Sequence, residues 1–149
     1  GGLAIAESVQ CVVQSGIPVM GHLGLTPQSV NQLGGYRVQG RTEEKAVTIL
    51  NDALALEEAG AYAVVLELVP GNVSATITER LRIPTIGIGA GIHCSGQVQV
   101  FHDLLGLFPD FSPKHSRRYA ELGLAATEAI SRYVIDVKAR EFPSETESF

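Results

Sequence analysis

No apolar run in this chain approaches the eighteen or so residues needed to cross a bilayer. Basic residues are scarce too: 11 Lys and Arg stand against 16 Asp and Glu, for a net charge of −5. That balance argues against a nucleic-acid or anionic-membrane surface, either of which wants clustered cations. Only two cysteines occur, Cys11 and Cys94, without CxxC or Cys/His spacing. Neither a disulfide framework nor a zinc site is readable, and two reduced thiols are expected. His93 adjoins Cys94, but that pair alone is too little for a metal site or a nucleophile. The chain opens Gly-Gly-Leu with no methionine, basic n-region or cleavage site, so no targeting signal is visible. Gly1-Gly2 reads as the tail of a strand-to-helix turn whose strand is missing, and a fragment is expected. What remains is 149 residues, 45% apolar and 18% charged, ordinary for one globular domain with small-molecule partners.

The periodicities alternate between helix and strand. Residues 3–15 place Ile5, Val9, Val12 and Val13 on one helical face, and Gly16 suits the residue after the helix. Ile17 to Met20 is a short strand. Thr42 can cap a helix whose first turn holds Glu43 and Glu44, where carboxylates favour the dipole. Tyr62 to Leu66 is unbroken apolar, the mark of a strand buried on both faces. Asn72 opens a helix through Ile77 and Leu81, and Pro84 to Ile88 is a further strand. Gln97 to His102 alternates and reads as a last strand. Ser112-Pro113 suggests the start of a final helix with Tyr119, Leu122, Ala126, Ile130, Tyr133 and Val137 on one stripe. The polar tail from Pro143 is expected to fray. Strands separated by helices of crossover length predict an α/β fold with four parallel strands, either an open sheet or half of an eight-stranded barrel. The missing opening strand favours the half barrel.

The stretch from Pro18 to Arg41 is the least ordinary. A strand runs into a connection of roughly twenty residues, and structureless connections that long usually carry function. It holds His22, a Thr26-Pro27 helix start with anion-friendly N–H groups, and Arg37 and Arg41, which either neutralise an anion or are simply solvated. In such folds function gathers at strand C-termini. Four ends are readable: His22, Glu67, the Gly87 to Gly91 loop, and His102 with Asp103, all expected on one rim. Glu67 is the sharpest, a lone carboxylate between Ala63-Val64-Val65-Leu66 and Leu68-Val69-Pro70. Partial desolvation there penalises its charged form and suits it to accept a proton, although a solvated strand-end carboxylate fits equally well. His22 is open to donor, proton-carrier or structural roles. GIGAG is not the dinucleotide fingerprint; it cradles a phosphate or makes a tight turn. His102 and Asp103, as adjacent strand residues, would point to opposite faces.

Together these segments resemble the ketopantoate hydroxymethyltransferase family. The resemblance rests on GHLGLTPQSVNQLGGYRVQGR at 21–41, VLELVP at 65–70, IPTIGIGAG at 83–91, GQVQVFHDLLG at 96–106 and the terminal FPSETESF. It implies a (β/α)8 TIM barrel of the phosphoenolpyruvate/pyruvate superfamily, with residues 1–142 as its C-terminal half, strands five to eight, and 143–149 as a polar tail. It also implies transfer of a hydroxymethyl group from 5,10-methylenetetrahydrofolate to 3-methyl-2-oxobutanoate, giving 2-dehydropantoate on the pantothenate route. Glu67 would be the proton acceptor and His22 would line the substrate pocket. Magnesium would hold the keto acid through acidic residues upstream of this chain, so no metal ligand is expected here and the chain alone should be inactive. Homo-oligomers, often decamers, and a cytoplasmic location (organellar if a transit peptide precedes) complete the expectation. Two alternatives stand beside it: a non-catalytic half-barrel assembly module, and another keto-acid carbon–carbon lyase or transferase of the same superfamily.

Overall fold

The computed structural model describes residues 1–32 and 34–149 and divides into two units, Gly1–Val98 and Gln99–Phe149. The first unit is an α/β arrangement. After a short 3-10 turn, helix α1 (Ala6–Gln14) ends at Gly16, whose φ of 84° is open to glycine at no steric cost. Strand β1 (Met20–Gly24) leads through residues 25–42 to helix α2 (Glu43–Glu58). Thr42 caps α2 as expected, its Oγ1 accepting from the Lys45 N–H at 3.4 Å. Strand β2 (Ala63–Glu67), helix α3 (Gly71–Arg80), strand β3 (Thr85–Ile88) and the two-residue strand β4 (Gly96–Gln97) complete the unit.

The four strands form one sheet in the order β1-β2-β3-β4, every neighbouring pair parallel. One face lies under the helices. Leu23, Val64 and Leu66 point there and join Ile49, Ala53 and Leu56 of α2 with Val73 and Ile77 of α3 in the buried core. Gly21 shares that face because a side chain would not fit: a Cβ would lie 2.7 Å from Leu56 Cδ1. The alternate residues His22, Val65, Glu67 and Ile86 occupy the opposite face and are only half-buried.

The second unit holds a one-turn helix α4 (Phe101–Leu104) and the long helix α5 (Leu122–Ala139). Between them the chain is irregular and gathered on Arg118, whose guanidinium donates to the carbonyls of Phe108, Pro109 and Phe111 at 2.9–3.0 Å. Among the described residues no helix is long and apolar enough to cross a membrane.

Three boundaries differ from the sequence expectation. The first strand lies three residues later than Ile17–Met20, because Pro18 lacks the N–H a ladder requires while Gly21 is tolerated for its packing. The expected strand from Gln97 to His102 is cut short. Val98 N–H reaches the Gly87 carbonyl, and beyond that β3 offers no further rungs, so the chain coils into α4. The final helix begins at Leu122 rather than near Ser112-Pro113, since residues 108–118 are held in a loop by Arg118. In the tail, Ser144 and Glu147 form a capping box on a short exposed 3-10 turn.

Candidate active site

Register places the site. Gly24 stands opposite Glu67 and His22 opposite Val65, so His22 and Glu67 are diagonal neighbours on the sheet face away from the helices. Their side chains meet, His22 Nε2 to Glu67 Oε2, at 3.0 Å. Glu67 is 18% exposed and His22 31%, which leaves both reachable and neither fully hydrated. With its Nε2–H tautomer, His22 donates to the carboxylate and fixes one of its oxygens, leaving Oε1 free to face a ligand. His22 is the middle residue of β1 rather than its exit, which is how it comes to lie beside Glu67.

The backbone around Glu67 is heavily tied. Its carbonyl accepts from Leu25 N–H at 2.8 Å, and the next carbonyl, of Leu68, accepts from Gln39 N–H at 2.8 Å. The long connection after β1 therefore starts and nearly ends on consecutive carbonyls at the end of β2. Leu68 N–H in turn donates to the Ile88 carbonyl at 2.9 Å. Leu68 has φ 48°, a left-handed conformation rare for leucine, found where surrounding bonds over-determine the backbone. Gly24 also has positive φ, and a Cβ there would collide with the Glu67 carbonyl oxygen.

The glycine loop sits at the end of β3, one strand away. Its role here is close packing: a Cβ on Gly91 would be 2.9 Å from the Gly71 Cα at the start of α3. Ser74, wholly buried on α3, donates to the Ala90 carbonyl and holds the turn against that helix. Thr85 and Ser95 close the base of the loop by reciprocal backbone-to-hydroxyl bonds at 3.2 Å. Ser74 and Leu68 carried no signal in the sequence, because an internal helix serine and an apolar residue after a strand are both commonplace.

Other expected positions take up different local settings. His102 and Asp103 are not at a strand end; they lie on α4 in the second unit. The Thr26-Pro27 start yields only a 3-10 turn, Pro27–Ser29, with no helix long enough to present an anion site. Cys94 is a buried thiol packed against Gly87. Among the described residues no three His, Cys, Asp or Glu side chains converge as metal ligands.

A parallel α/β sheet that pairs a carboxylate at one strand end with an imidazole from the middle of the neighbouring strand is a site of the kind α/β enzymes carry. The comparison with known proteins makes this particular. The family described as ketopantoate hydroxymethyltransferase matches residues 1–145. A 3-methyl-2-oxobutanoate hydroxymethyltransferase of Chloroflexus aurantiacus is 60% identical over 143 residues, 96% of this chain and 50% of that protein. Proteins of the same name from Dehalococcoides mccartyi and Carboxydothermus hydrogenoformans are 55% and 56% identical over 149 residues, covering 53% and 54% of their lengths. The chain belongs to the ketopantoate hydroxymethyltransferase family, a family of transferases. It spans about half the length of the curated relatives it matches.

Proposed function

We propose that this chain supplies the proton-accepting half of a hydroxymethyltransferase, strands five to eight of a (β/α)8 barrel. The observation that carries the reading is the Glu67–His22 pair at 3.0 Å on the sheet face opposite α2 and α3. The keto acid is 3-methyl-2-oxobutanoate, as the relatives' name suggests. Its C3–H is acidified by the adjacent ketone. Glu67 Oε1 takes that proton, and the electron pair moves into the carbon–carbon bond of the enolate. Water cleaves both carbon–nitrogen bonds of the methylene bridge of 5,10-methylenetetrahydrofolate, releasing tetrahydrofolate and a one-carbon unit at the formaldehyde level. The enolate carbon attacks that carbon, and the resulting alkoxide takes the proton back from Glu67 to give 2-dehydropantoate. His22 keeps the Glu67 carboxylate oriented and lines the same pocket.

Magnesium does not fit this chain alone. It takes six oxygens in near-octahedral array, and the site here offers one carboxylate already engaged by an imidazole. Its ligands are proposed to lie in the part of the family's chain not represented here, and the isolated polypeptide is inactive on this reading.

The test joins this chain to the remaining half of the Chloroflexus aurantiacus relative and follows exchange of the C3 proton of 3-methyl-2-oxobutanoate into deuterated water by NMR. The joined protein exchanges, this chain alone does not, and Glu67→Gln slows exchange about 10²–10⁴-fold. Undiminished exchange in Glu67→Gln, or turnover by this chain alone, overturns the proposal.

A further inference from the structure

Among the described residues of the first unit, Leu68 is the one non-glycine residue with a positive φ, at 48°. It directly follows Glu67, the last residue of β2. In a continued strand, residues 67 and 69 would share a face of the sheet. They do not. Glu67 stands half-buried beside His22 on the face opposite α2 and α3, whereas Val69 is 2% exposed and joins Leu23, Leu66 and Val73 in the core beneath those helices. The left-handed residue between them makes the reversal. Leucine does not favour it, because in that conformation its Cβ crowds the following carbonyl oxygen. Three hydrogen bonds hold the turn from both sides of β2. Leu25 N–H donates to the Glu67 carbonyl at 2.8 Å, Gln39 N–H to the Leu68 carbonyl at 2.8 Å, and Leu68 N–H to the Ile88 carbonyl at 2.9 Å. Were Leu68 to relax to negative φ, either Val69 would leave the core or Glu67 would turn into it.

We propose that Leu68 is a positioning residue for Glu67: its left-handed backbone, not its side chain, keeps the carboxylate on the His22 face while Val69 stays in the core. Strain of this kind persists only where the surroundings over-determine it, and it gathers at functional sites. Two of the three bonds come from the roots of the long connection after β1, so the anchorage of that connection and the aim of Glu67 form one unit. The predicted effect on rate rests on the proton-transfer reading above; the predicted effect on the Glu67–His22 contact does not.

The test sets backbone preference against side-chain character at this position. Asparagine is polar but tolerates the left-handed region, whereas valine is apolar and a marked outlier there. In the ¹⁵N-labelled 149-residue chain, the His22 ring nitrogens report the bond to Glu67 by NMR, with Glu67→Gln as the reference for its loss. In the joined protein, kcat and KM for C3 deuterium exchange are measured. Leu68→Asn keeps the parent His22 signals and a rate within about threefold, while Leu68→Val moves the signals toward those of Glu67→Gln and lowers kcat about 10–10²-fold with KM little changed. If Leu68→Val does not fold by circular dichroism, Leu68→Ala decides, since it removes the side chain and keeps the backbone cost; it retains signals and rate. The reverse order, with valine like the parent and asparagine impaired, overturns the inference, because Leu68 would then act by packing. Parent-like His22 signals in Leu68→Val, or their loss in Leu68→Ala, overturn it too. His22 signals in the expected order alongside a joined parent that does not exchange would refute the proton-transfer reading and uphold the positioning.

Discussion

His22 and Glu67, 45 residues apart in the chain, meet at 3.0 Å because β1 and β2 are in a register that puts Gly24 opposite Glu67. The glycine matters to the pair. A Cβ there would run into the Glu67 carbonyl oxygen and Val69 Cγ2, so glycine lets β1 run this close to the backbone that carries Glu67.

Removing the imidazole should leave Glu67 present but unheld. In the joined protein, His22→Ala is expected to slow C3 deuterium exchange about 10–10²-fold, with partial recovery in His22→Gln, which restores a donor. Equal rates in His22→Ala and the parent would take His22 out of the site.

Gly24→Ala should unfold the first unit at markedly lower urea. The substitution strains a positive φ and drives a Cβ into the Glu67 carbonyl, at a combined cost of about 2 kcal/mol or more. Gly16→Ala is the control. It shares the positive φ but has nothing within 4 Å, so it should cost only about 1 kcal/mol. Similar unfolding midpoints for the two would show that the carbonyl contact is unimportant.

Arg140 ends α5 in the left-handed conformation at φ 61°, a position where glycine is unstrained. Arg140→Gly is expected to raise stability by up to about 1 kcal/mol, seen as a higher melting temperature by far-UV circular dichroism. A lower melting temperature would mean that the arginine contributes more than its backbone strain costs.

Among the described residues of the first unit, the sheet ends in β1 on one side and β4 on the other, and no helix of that unit covers the face carrying Met20, Val65 and Ile86. Free strand edges and uncovered apolar surface promote association. Sedimentation velocity should show species larger than monomer that grow with concentration; a stable monomer across the range would contradict this.

Much of the first unit was legible from local chemistry. The α2 cap at Thr42 and the unbroken run of β2 both follow from the order of residues, and so does the isolated position of Glu67. The position of β1 was not, because it depends on Gly21 packing against Leu56, a partner 35 positions away (56 − 21). The Gln97–His102 alternation is a fair strand pattern that failed for want of a neighbour to pair with. Arg118 carries no signal in the sequence. Its three carbonyl partners lie in a loop without periodicity, and only the folded chain brings them to one guanidinium.

Leu25 and Gln39 stand on adjacent carbonyls at the end of β2, so the span between them is closed at its root independently of its length. Doubling such a span costs only about 0.6 kcal/mol in closure entropy. Insertions or deletions among residues 26–38 can therefore accumulate while the carboxylate of Glu67 stays where it is. That span includes Tyr36 and Arg37, so the lining of the adjoining cleft can change with loop size while the Glu67–His22 pair is left in place.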